Sequence, residues 1–116
     1  MKTRSGFVSN SSSSSFIIIN KTDKDLNLLD FAIENRSVFD DFISNYQYDY
    51  TFDDFIESVE ANNIVIPVGR NVFSFADEDR TICGIVYDYG LREGGNSKRF
   101  KWALIECRGQ EYDPKI

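Results

Sequence analysis

The spacing of apolar residues changes character twice along the chain. Phe16-Ile17-Ile18-Ile19 is an unbroken apolar burst between serines and Asn20-Lys21, which predicts a short buried strand. From Thr22 the period is helical. Thr22 or Asp23 can cap a helix carrying Leu26, Leu29 and Ile33 on one face, with Asp25 in its first turn. Ser37 restarts the pattern, with Phe39, Phe42, Ile43 and Tyr46 at i, i+3, i+4 and i+7. Thr51 restarts it again with Phe52, Phe55, Ile56 and Val59. The pentapeptide Phe-Asp-Asp-Phe-Ile occurs at 39–43 and at 52–56, each copy following a hydroxyl residue and placing two aspartates in a predicted first turn. Asn62-Asn63 closes this region.

Beyond residue 63 the period becomes strand-like. Ile64-Val65-Ile66 and Val68 predict a short strand, held to a sheet edge or a strand end by Pro67. Gly69-Arg70-Asn71 predicts a hairpin turn into the alternating Val72-Phe73-Ser74-Phe75, and Asp77-Glu78-Asp79 predicts the next turn. Thr81 to Tyr89, rich in β-branched and aromatic residues, is predicted as the strongest strand, with Gly84 as a bulge. Gly94-Gly95-Asn96 falls in a loop, Phe100 to Cys107 forms the partner strand, and the last nine residues are a turn and a tail. The expected fold is α+β: an N-terminal strand and three acidic amphipathic helices packed on a C-terminal antiparallel meander of about four strands. Residues 1–15 form a serine-rich arm, and residues 16–116 a single domain.

Composition narrows the function classes. In 116 residues, 41% hydrophobic and 15% aromatic side chains suffice for one core, which excludes a wholly disordered chain. Two cysteines, Cys83 and Cys107, do not make a disulfide scaffold, and both are expected in strands as free, core-type thiols. The chain has no histidine, which removes Ser–His and Cys–His catalysis and the commonest zinc ligand. No apolar run of signal-peptide or membrane-span length follows Met1-Lys2-Thr3-Arg4, so a cytoplasmic protein with no membrane contact is expected.

Charge is unevenly spread. The net charge is -6, and residues 21–62 hold 3 basic and 11 acidic side chains whereas residues 63–116 hold 8 of each. The helical region thus carries the negative field. Such a field steers cationic partners and repels nucleic acid, although a charged run is also what an ordinary solvated helix face carries. The candidate partner-binding residues are Asp40, Asp41, Asp49, Asp53, Asp54, Glu57 and Glu60. A secondary basic cluster, Arg92, Lys98, Arg99 and Lys101 beside Trp102, can grip a phosphate or a nucleic-acid strand, or simply guard a sheet edge.

Catalytic, cofactor and metal constellations are not expected. Adjacent pairs such as Asp40/Asp41 and Asp53/Asp54 point in different directions on a helix, so they do not form the facing carboxylates of a hydrolase. Asp77-Glu78-Asp79 lacks the alternate spacing of a calcium loop, and Gly94-Gly95 does not open a helix in a phosphate-binding frame.

The stretch from Arg4 to Phe16, Arg-Ser-Gly-Phe-Val-Ser-Asn-Ser-Ser-Ser-Ser-Ser-Phe, resembles the opening of many small uncharacterised proteins of bacteriophages and of bacterial genomes carrying phage DNA. The resemblance covers the first fifteen to twenty residues. It implies a phage setting and brings no catalytic residue with it. The expectation is therefore a non-enzymatic phage protein that engages or inhibits a host protein with a basic surface. A host defence component is one such target, as for anti-CRISPR proteins, and a transcription component is another. In this reading the acidic helical face imitates nucleic acid, and no direct nucleic-acid contact is expected. The alternative is a phage structural or assembly protein that works through its serine-rich arm.

Overall fold

The computed structural model describes residues 13–46, 49–76 and 81–114. The chain runs β1 (Ser13–Asn20), β2 (Leu26–Asn27), α1 (Leu28–Glu34), α2 (Arg36–Tyr46), α3 (Phe52–Ala61), β3 (Val65–Ile66), β4 (Gly69–Ala76), α4 (Ile82–Gly90), β5 (Gly95–Asn96), β6 (Phe100–Cys107) and β7 (Gln110–Glu111). The class is α+β. The main sheet has the order β4-β1-β6-β5, with β7 also on β6, and every pairing in it is antiparallel.

The strand containing Phe16 to Ile19 sits at the centre of this sheet rather than beside a C-terminal meander. Its apolar run is buried on both faces, and pairing on both edges satisfies its backbone: Phe16 opposes Phe73 on β4 and Leu104 on β6. Ser13, Ser14 and Ser15 belong to the strand too, and Ser14 is fully buried, so the arm boundary expected at residue 15 falls inside the sheet. Residues 1–12 lie outside the described residues, as does the Asp77-Glu78-Asp79 turn.

Among the described residues four helices stand where three were expected. The segment read as the strongest strand is α4. Cys83, Val86 and Tyr87, with Leu91 at the C-cap, are its buried apolar side chains, a three-to-four spacing that one helix face satisfies, and Thr81 Oγ1 accepts from the Gly84 backbone N–H at 2.9 Å to cap it. Gly84 is therefore a buried helix residue and no bulge, and Cys83 lies on a helix. Burial overrode the β-propensity of Ile85, Val86, Tyr87 and Tyr89.

The first helix starts later than expected. Thr22 instead folds back, its N–H and hydroxyl both donating to Asn20 Oδ1. Asn27 is the cap, exchanging hydrogen bonds with Asp30 in a capping box. Leu28, Phe31 and Ala32 face inward, leaving Ile33 61% exposed. Ser37 is inside α2 and caps nothing, so the first pentapeptide lies in mid-helix without acidic residues in the first turn. The second copy meets the expectation: Thr51 and Asp54 form a capping box, and Asp53 and Asp54 occupy the first turn of α3. Gly69-Arg70-Asn71 is no hairpin turn, because Gly69 (φ 92°) already begins β4 and β3 pairs with β2.

Aromatic rings fill the interior. Phe39 lies 4.8 Å from Phe55 and 5.1 Å from Tyr87 between ring centroids, and Phe31 lies 4.9 Å from Phe100 and 5.0 Å from Trp102. All four phenylalanines of the two pentapeptides are buried, while Ile43 and Ile56 are half-buried against the core. Replacing Phe39 or Phe55 by alanine is expected to cost about 3–5 kcal/mol as a core cavity. Ile33→Ala should stay within about 0.5 kcal/mol. Urea unfolding of the three variants checks the ordering.

Candidate functional site

The seven acidic candidates do not share one surface. On α2, Asp40 accepts from Arg36 Nε at 2.9 Å, and the same guanidinium lies 4.4 Å above the Phe52 ring at the start of α3. Asp40 is thereby turned towards α3 with its charge offset. Asp41, one residue on, lines a cleft of about 340 Å³ on the side of α4, together with Phe42, Asn45, Tyr89, Glu93 and Gly94. Asp54 is consumed by the α3 cap, where its carboxylate accepts from the Thr51 N–H at 2.8 Å.

What remains is a stripe on α3. Asp53, Glu57 and Glu60 follow each other at i, i+4 and i+7, all exposed, on the side opposite buried Phe52, Phe55 and Val59. Among the described residues no cation pairs with any of the three. Asp49 is exposed just ahead of the helix.

The basic cluster is divided by two carboxylates that sequence reasoning left out. Arg99 Nε meets Glu34 Oε1 at 2.6 Å, and the Arg99 N–H and Ser97 hydroxyl donate to Glu34 Oε2. Partial burial pushes the Glu34 carboxyl upward, but these donors and the Arg99 charge outweigh it and hold the group below its ordinary range. Arg92 meets the fully buried Asp88 at 3.3 Å and lies 4.0 Å above the Tyr89 ring. Once the segment is helical, Asp88 and Arg92 stand at i and i+4, a spacing visible in the sequence. Glu34 and Arg99 are 65 residues apart, and no local signal joins them.

Lys98 is exposed and Lys101 half-buried. Trp102 is 3% exposed, with Gly95 pressed so closely on its indole that a Cβ there would clash. The indole face is therefore closed to a stacking base.

The two free thiols sit in different surroundings. Burial pushes Cys83 up to about 11, so it stays protonated at neutral pH. Cys107 is half-buried and accepts from Ser14 Oγ at 3.4 Å. Among the described residues no three acidic or cysteine side chains come together as a metal cluster, and no helix is long and apolar enough to cross a membrane.

The depressed Glu34 group makes stability depend on pH. Its contribution is fully present above about 4.5, the ordinary value, and is lost as pH falls through the lower value of the folded protein. Urea unfolding at neutral and acid pH should show a wild-type loss that Glu34→Gln reduces, with the variant the less stable at neutral pH. Equal acid sensitivity in both proteins would remove the Glu34–Arg99 pair as a source of stability.

No protein-family model, curated protein or solved structure matches this chain.

Proposed function

We propose that this protein works by binding, engaging a cationic surface of another protein through the acidic stripe Asp53, Glu57 and Glu60 on α3, with Asp49 just ahead of it in the chain. The carrying observation is that folding accounts for part of the acidity and not for the rest. Asp53 and Asp54 stand at the positive end of the α3 dipole and favour the helix. Glu60 stands at the negative end, where no basic residue offsets it, and Glu57 repels both Asp53 and Glu60. Like charges at this spacing cost on the order of 0.2–0.5 kcal/mol per pair. A helix selected for stability alone would place lysine or arginine there.

The partner is a host protein with a basic groove, met in the cytoplasm of a bacterial cell. The phage resemblance of the opening residues supports that setting. The absence of histidine and the protonated Cys83 support binding over catalysis. The committed Arg92 and Arg99 and the buried Trp102 support a protein partner over nucleic acid.

Neutralising the stripe separates its charge from its fold. The triple variant Asp53→Asn, Glu57→Gln, Glu60→Gln should fold with stability within about 0.5–1 kcal/mol of wild type. It should lose proteins that the wild type retains from a bacterial lysate. Retention by the wild type should also fall steeply with salt, since exposed charges are screened beyond about 8 Å at physiological ionic strength. Equal retention by both proteins, or a flat salt response, would reduce α3 to a solvated scaffold.

A further inference from the structure

Among the described residues β4 is one edge of the main sheet. Its inner side pairs with β1 over all eight residues without a register shift, and no described strand lies on its outer side. A regular edge exposes a row of unpaired N–H and C=O groups to which another extended strand can add. Proteins normally blunt such an edge with proline, a bulge, inward charge or short length. From Gly69 to Ala76 there is no proline and no acidic residue, and the single charge, Arg70, stands near one end.

The strand registers also define what the edge presents. Ile17 opposes Val72 on β4 and Ala103 on β6, so Ala103, Ile17 and Val72 form one apolar row across the sheet face opposite Phe16 and Ile18. The row ends at Val72, which is 62% exposed although Ile17 beside it is 6% exposed. It stops where the strands stop.

We infer that β4 pairs antiparallel with β4 of a second copy of this chain, about a twofold axis at Val72. Antiparallel partners share a sheet face, so this register sets Val72 against Val72, Arg70 against Ser74 and Asn71 against Phe73. The apolar row then continues through both copies, from Ala103 to Ala103, and each exposed Val72 gains an apolar neighbour. The two Arg70 side chains are offset by four residues, about 13 Å along the strands, so no like charges meet. A foreign strand can use the same hydrogen bonds, but a second β4 supplies the matching end of the row and an uncharged partner from Asn71 to Ala76. One strand per copy is small against the about 800 Å² per partner of a stable complex, so the pair dissociates on dilution. This inference is independent of the α3 stripe.

Sedimentation of the full chain from low micromolar upward should show a monomer–dimer equilibrium. Val72→Lys, a change at an exposed position, should weaken it at least about tenfold by opposing two ammonium groups. A second measurement reads the register. Residues directly opposite in an antiparallel pair lie within disulfide reach. In a Cys107→Ser background, Val72→Cys should therefore oxidise to a covalent dimer much faster than Ile33→Cys, an equally exposed position on α1. A protein that remains monomeric up to about 1 mM overturns the inference. So does a dimer indifferent to Val72→Lys, or a Val72→Cys chain that cross-links no faster than the Ile33 control.

Discussion

Tyr87 occupies the point where the layers of this protein meet. Its ring stacks on Phe75 of β4 at 4.9 Å and touches Phe31 of α1, Phe39 of α2 and Phe55 of α3. Its hydroxyl donates to the Leu28 carbonyl at 2.6 Å, which satisfies the polar atom of this buried side chain. Burial pushes that phenol well above its ordinary range, so it remains a donor at any physiological pH. Every helix and the sheet thus share one side chain. Phe31 extends the contact to Phe100 and Trp102 on β6.

This arrangement explains where charge is left. Aromatic residues at helical spacing turn one face of α2 and α3 inward, and the opposite faces have only water to meet. The acidic residues then sort by use. Asp30 and Asp54 close capping boxes, Asp40 balances Arg36, Glu34 gathers Ser97 and Arg99, and Asp88 is buried against Arg92. Asp53, Glu57 and Glu60 have no such employment among the described residues, which is why the functional reading rests on α3 rather than on all seven candidates.

The two internal ion pairs also reshape the basic end of the molecule. Arg99 ties the loop before β6 to the end of α1, and Arg92 ties the end of α4 to its own preceding turn. A guanidinium already held by a buried or half-buried carboxylate has little left to offer a phosphate, because breaking the pair strands the acid in low dielectric. Of what looks in one dimension like a basic patch, both arginines are internal bracing.

The sequence by itself determined the class, the buried faces of α2 and α3, the Thr51 cap and the strand-forming character of residues 16–19, 72–75 and 100–107. Each rests on interactions within a turn or two of the chain: period, capping hydroxyl, dipole. Tertiary structure decided the rest. Residues 81–89 carry strand-like composition, and they are helical because Cys83, Val86, Tyr87 and Leu91 on one face meet an aromatic core that local propensity cannot see. The central place of β1 was equally hidden, since its two partners are about 55 and 85 residues away and pairing order depends on which edges the helices leave open. The Glu34–Arg99 pair spans 65 residues for the same reason. The sequence alone shows how many acidic side chains the chain carries; only the fold divides those that hold it together from those left facing the solvent.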